Sequence, residues 1–142
     1  MAKYNKEYYE PLEQMMAVRH QYMSKILRDH TDQDIYNFFQ NKQVLDLGCG
    51  TGEFLNNYFE MGAQCTGIDI EKNFKLKNKK NFNLYNLDAN TFLKNCKKKF
   101  DIIFLFEFLE HLEEGDKHKL FESLIKIPVS YTHLTLPTNR EV

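Results

Sequence analysis

Residues 44–52, Val-Leu-Asp-Leu-Gly-Cys-Gly-Thr-Gly, restrict the possible folds of this chain more than any other stretch. An apolar run this short, rich in Val and Leu and closed by turn residues, fits a strand of a buried parallel sheet. Glycines at 48, 50 and 52 let the backbone turn sharply and approach a ligand where a Cβ would collide. Residues 51–61 then read as a helix whose first N–H groups face whatever lies over the loop. A Walker-type phosphate loop fails because no Lys follows at the required spacing. A dinucleotide fingerprint needs a third glycine at position 53, which is Glu53, and its charge suits a diphosphate poorly. What is left is Asp-x-Gly-x-Gly-x-Gly over Asp46–Gly52, or else a tight strand-to-helix turn that binds nothing.

The 142 residues, 42% hydrophobic and 14% aromatic, amount to one domain at most with enough apolar surface for a core. A net charge of −1 argues against a dedicated nucleic-acid binder but leaves room for a local basic face. Cys49, Cys65 and Cys96 are odd in number and lack metal-ligand spacing, so a reducing, cytoplasmic setting is expected. Residues 1–10 carry charges throughout with no apolar leader-like run, and no stretch is long enough to span a bilayer. The expectation is a soluble or at most peripheral protein.

Residues 5–29 place Leu12, Met15, Met16, Tyr22, Met23, Ile26 and Leu27 at helical spacing, with Arg19 set among them. A lone Arg there commonly lays its stem over core surface. A second helix is expected from Asp32 to about Gln40, opened by an Asp cap. Residues 63–70 read as the second strand, 71–80 as a poorly amphipathic Lys-rich helix, 82–86 as the third strand and 100–106, the most apolar run, as the fourth, adjacent to the first. A helix is expected over 116–127. The span 71–100 holds nine lysines against Glu71 and Asp88, which is read as a solvated face, with an RNA-facing patch as the sharper alternative.

The motif Asp46-x-Gly48-x-Gly50-x-Gly52 resembles the first motif of class I S-adenosylmethionine-dependent methyltransferases. A carboxylate at Asp46 suits a ligand that carries a sulfonium and an ammonium. Asp69, nineteen residues beyond Gly50, stands at the interval where a βαβ unit brings an acid to ribose hydroxyls; its alternative is a cap for the next helix. Asp88, after the third strand, resembles the family's acid for the adenine amine, with the following backbone N–H, that of Ala89, on a ring nitrogen; a helix cap is the equal alternative. The run 11–23 is similar to the pre-domain helix of the ubiquinone-biosynthesis O-methyltransferases, whose Arg, here Arg19, reaches the cofactor carboxylate. Glu107-Phe-Leu-Glu110-His111 resembles the post-strand motif of the same enzymes. It also matches the Glu-x-x-Glu-His metal ligands of small-RNA 3′-terminal methyltransferases, but no metal is assigned here.

The resemblance implies a Rossmann-like α/β fold, the first four strands of a doubly wound, mostly parallel sheet, incomplete and preceded by N-terminal helices. The expected divisions are a helical cap over 1–42, a partial S-adenosylmethionine-binding domain over 43–127, and a tail over 128–142. That tail is similar to a translated sequencing-library adapter and is read as non-native. The expected cofactor contacts are Arg19, Asp46, Gly48, Cys49, Gly50, Gly52, Asp69, Ile70, Asp88, Ala89 and Phe106, with Glu107 and His111 as the catalytic candidates, either one serving as general base. The implied reaction in the intact parent is methyl transfer to oxygen of a small molecule such as a quinone precursor. The fragment itself is expected to be inactive, and peripheral membrane contact of the parent stays open. The rivals are a metal-dependent RNA 3′-terminal methyltransferase and a non-catalytic cofactor-binding or interaction module.

Overall fold

A computed structural model describes residues 17–127, apart from Ile26, His30, Asp32 and Glu107. Residues 17–25 and 27–29 are helical (α1). There follow α2 (Ile35–Phe39), β1 (Gln43–Leu47), α3 (Glu53–Glu60), β2 (Gln64–Asp69), β3 (Phe82–Asn86), α4 (Ala89–Asn95), β4 (Ile102–Phe104), a 3-10 turn (Leu109–His111) and α5 (Glu114–Lys126). The four strands form one sheet in the order β3-β2-β1-β4, and every adjacent pair is parallel. This is the expected Rossmann-like arrangement, with β4 beside β1. Residues 1–16 and the tail 128–142 lie outside the described residues, and with them the start of the first helix.

Period-two alternation explains why the sheet is covered on both faces. Val44, Ile102 and Phe104 belong to one apolar cluster with Met23, Phe39 and Tyr58, on the side of α1, α2 and α3. Leu45, Leu47, Ile103 and Leu105 belong to another with Leu93 and Leu120, on the side of α4 and α5. Asp46, two residues from Val44, therefore points toward the first face, where it is buried. The first face is aromatic: the Tyr58 ring lies 4.5 Å from that of Phe39, 4.9 Å from Phe104 and 5.2 Å from Phe54.

Several boundaries differ from the sequence reading, each for a local reason. Residues 71–78 contain no helix, and Lys79 only bridges to Phe82. Phe74 and Leu76, two residues apart, both pack against the first cluster, a spacing that suits extended chain and not a helix. The Asn78 side chain then binds the Leu84 backbone, accepting from its N–H at 2.8 Å and donating to its carbonyl at 3.3 Å. Helix α2 begins at Ile35, and its cap is Asp34, whose carboxylate accepts from the Asn37 N–H at 2.9 Å. β4 is shorter than the apolar run 100–106, although Leu105 and Phe106 are buried beyond it. Helix α5 starts at Glu114, two residues before the expected Asp116, and both acids sit in its first turn, where the helix dipole favours them.

Candidate functional site

All the expected site residues that the structure describes, other than Arg19, stand on β1, at the end of β2 or beyond the carboxyl ends of the parallel strands, where open α/β sheets bind ligands. After β1 the chain turns on Gly48, Gly50 and Gly52, whose φ angles are +80°, +57° and +86°. Residues with a Cβ avoid this region. The Gly48 and Cys49 N–H groups both donate to the Ile68 carbonyl, at 2.7 and 3.0 Å, so the loop is anchored to the end of β2. Space is limited as well: a Cβ on Gly52 would stand 2.8 Å from Leu84 Cδ1, and one on Gly48 would stand 2.7 Å from Phe108 Cδ2. Gly52→Ala is expected to lower stability by about 1–2 kcal/mol from its backbone conformation alone. Urea denaturation of the variant measures this.

Asp69 joins the loop to the second strand. Its Oδ2 accepts the Gly50 N–H at 2.7 Å and its Oδ1 accepts the Glu71 N–H at 2.8 Å. With no helix after β2, the alternative role as a helix cap falls away, and the carboxylate closes a short side-chain turn instead. Each oxygen retains a lone pair for a further donor. Burial raises the pKa of Asp69, the two N–H bonds oppose that rise, and Glu71 and His111 act in opposite directions beyond them. Ile70, the next residue, is exposed. Asn86, unnoticed in the sequence, ties down this corner by donating to the carbonyls of Asp69 at 3.0 Å and Ile70 at 2.9 Å. Its position at the end of β3 was the available signal.

Asp88 caps α4, accepting from the Thr91 N–H at 3.1 Å and the Thr91 hydroxyl at 3.3 Å. The cap is therefore real, and Asp88 remains exposed at the crevice edge while Ala89 is buried. On the other side Arg19 is half-buried, its Cζ 5.0 Å from the Phe106 ring centre and 5.7 Å from that of Phe54. These rings meet edge to face at 5.2 Å, which makes an aromatic seat for the guanidinium. Burial pushes Asp46 up to about 7, the Arg19 charge pulls it back, and Asp69 adds to the rise. The Tyr58 hydroxyl is buried with no hydrogen-bond partner among the described residues, and burial followed by the Asp46 charge raises its pKa. Tyr58 was also missed, since its spacing marks it simply as a core residue of α3. The Cys49 and Cys65 thiols are weak nucleophiles, because burial raises Cys49 and brings Cys65 to about 12.

The structure thus brings together Asp46, the glycine loop with Cys49, Asp69, Ile70, Arg19 and Phe106. His111, exposed in the 3-10 turn, is near enough to Asp69 to lower its pKa. Glu107 lies outside the described residues, so neither the Glu107–His111 pair nor the Glu107, Glu110 and His111 trio is placed.

The methyltransferase domain family matches residues 18–134, more than half of the chain and past Ile127 into the segment read as a tail. The chain belongs to this family. Over 115 residues it is 30% identical to the ubiquinone biosynthesis O-methyltransferase of Pelagibacter ubique, an overlap of 76% of this chain and 48% of that protein. The corresponding enzyme of Colwellia psychrerythraea is 27% identical over 75% of this chain and 46% of its own length. Among solved structures, an S-adenosylmethionine-dependent methyltransferase from Archaeoglobus fulgidus is similar at 29% identity and a TM-score of 0.59, covering 85% of this chain and 54% of that one. The N-methyltransferase NodS of Bradyrhizobium japonicum, solved with S-adenosyl-L-homocysteine, shares the fold at 18% identity and a TM-score of 0.63, over 87% of this chain and 62% of its own. The chain spans about half the length of the curated relatives it matches.

Proposed function

We propose that the crevice holds S-adenosylmethionine and that the protein containing this chain transfers its methyl group to oxygen of a small molecule such as a quinone precursor. The observation that carries the reading is the Asp69 carboxylate, fixed by the Gly50 and Glu71 N–H groups at the end of β2 with acceptor capacity left for a ribose diol. The donor set also fits the ligand: an acid at Asp46 for the cationic end, a guanidinium at Arg19 for the methionine carboxylate, and the exposed Ile70 and Asp88 for the adenine. The names of the relatives, ubiquinone biosynthesis O-methyltransferases, favour an oxygen acceptor.

Bound there, S-adenosylmethionine supplies a methyl group on a sulfonium, ready for in-line displacement. The chain's residues position and desolvate the reacting groups. Arg19 and Asp46 hold opposite charges at the methionine end, and the glycine loop lets the backbone come close. The acceptor oxygen gains the methyl group and loses its proton to a base, a role assigned to the imidazole of His111.

Cytoplasmic residence accords with the three free thiols, and among the described residues no helix is long and apolar enough to cross a membrane. A chelation assay on the intact parent tests the acceptor class. Methyl transfer to a catechol is expected to continue in excess chelator. No transfer to the catechol, with transfer to an RNA 3′ end that is lost on chelation and restored by Mg or Mn, would instead favour the metal-dependent RNA reading built on Glu107, Glu110 and His111.

A further inference from the structure

At the opposite end of the sheet from the glycine loop, α4 and α5 finish side by side over a cavity of about 370 Å³. Its lining comprises Leu93, Cys96 and Ile127 with four lysines, Lys94, Lys97, Lys98 and Lys126, and Ser123. Among the described residues no carboxylate lines it. Lys75 and Lys117 elsewhere pair with Glu53 at 3.8 Å and Glu114 at 3.0 Å. None of the four cavity lysines has a carboxylate partner among the described residues.

Helix ends account for part of this charge. Lys94 and Lys126 lie in the last turns of α4 and α5, where cations offset the dipole. Two helix C-termini together carry roughly one negative charge, so the four ammonium groups leave an excess of about three positive charges at the cavity. Lys97 and Lys98 follow the end of α4 and exceed what the helices need. The Ser123 hydroxyl adds a donor, and the buried Leu93 and Ile127 of the second apolar cluster form its floor.

We infer that this cavity is a second binding site, for a small anion bearing two or three phosphoryl groups. A concave space of this size suits a compact polyanion, whereas a nucleic-acid backbone needs an extended track. The lysines serve as point charges for the phosphoryl oxygens. The site is separate from the cofactor crevice, and occupancy of one does not require the other.

The test is calorimetric titration of the protein with sodium tripolyphosphate at low ionic strength. The wild type is compared with Lys97→Glu/Lys98→Glu and with Lys72→Glu/Lys77→Glu, a control with the same charge change on the 71–80 segment. All four positions are exposed, and circular dichroism verifies folding. One-to-one binding is expected, weakened about tenfold or more by the cavity pair and less than about twofold by the control pair. Orthophosphate is expected to bind more weakly than tripolyphosphate. The inference is overturned by absence of saturable binding, by equal losses in both variants, or by an RNA oligonucleotide that binds more tightly and is weakened equally by both pairs.

Discussion

Asp46→Asn is expected to make the protein more stable at pH 8 and worse at binding S-adenosylmethionine. Asp46 sits inside β1 and is buried on the aromatic face, where loss of solvation raises its carboxyl from the ordinary 3.8 to about 7. Between these values the folded chain keeps a proton that the unfolded chain releases, so the contribution of Asp46 to stability falls as pH rises from about 4 to 7. At about 1.4 kcal/mol per pH unit, the ionised group costs the fold up to roughly 4 kcal/mol at pH 8. Asparagine removes that cost but also removes the attraction between the Asp46 and Arg19 charges, so a gain of about 2 kcal/mol is expected at pH 8 and almost none at pH 4. Urea denaturation at the two pH values decides it; an Asn variant less stable than wild type at pH 8 would show that the Arg19 attraction outweighs burial.

The binding side has the opposite sign. A sulfonium and an ammonium beside Asp46 favour its ionised form, so wild-type affinity should increase from pH 6 to pH 8 as less work is needed to remove the proton. The Asn variant should bind about tenfold more weakly at pH 8 and show a flatter pH profile. An acid that costs stability but sits on the proposed cofactor face is what a binding role, more than a structural one, requires.

The second large effect belongs to Asp69→Ala. This change removes the acceptor of the Gly50 N–H, and with it one of the links from the glycine loop to β2, together with the proposed ribose contacts. Affinity for S-adenosylmethionine is expected to fall by about 1.5–3 kcal/mol, roughly tenfold to more than a hundredfold. The loop retains its other anchor, the Gly48 and Cys49 N–H groups on the Ile68 carbonyl, so the fold should survive.

The sequence made the sheet readable wherever one strong signal stood alone. Phe82–Asn86 has the bounds expected of it, and the glycine motif placed β1, its turn and α3 because three positive φ angles at every second residue leave few alternatives. Residues 71–80 misled because lysines suit helices and solvated loops equally well. The deciding contacts, Phe74 and Leu76 on the core and Asn78 on the Leu84 backbone, are tertiary. In the site, the spacing from Gly50 to Asp69 marked two ends of one βαβ unit, but nothing local revealed that the carboxylate binds the loop directly. The Arg19 seat on Phe54 and Phe106 was equally hidden, since it joins α1, α3 and the end of β4 across the fold. Asp88 shows how one residue satisfies two readings, because its helix cap leaves the carboxylate exposed.

The central claim is that S-adenosylmethionine binds over the glycine loop with Asp69 on its ribose. It is tested most directly by calorimetric titration of the wild-type protein and Asp69→Ala with this ligand at pH 8, after both have shown the same cooperative unfolding transition. The account predicts saturable one-to-one binding to the wild type and a loss of at least about tenfold in the variant. Equal affinities, or a folded wild type that gives no binding, would contradict it.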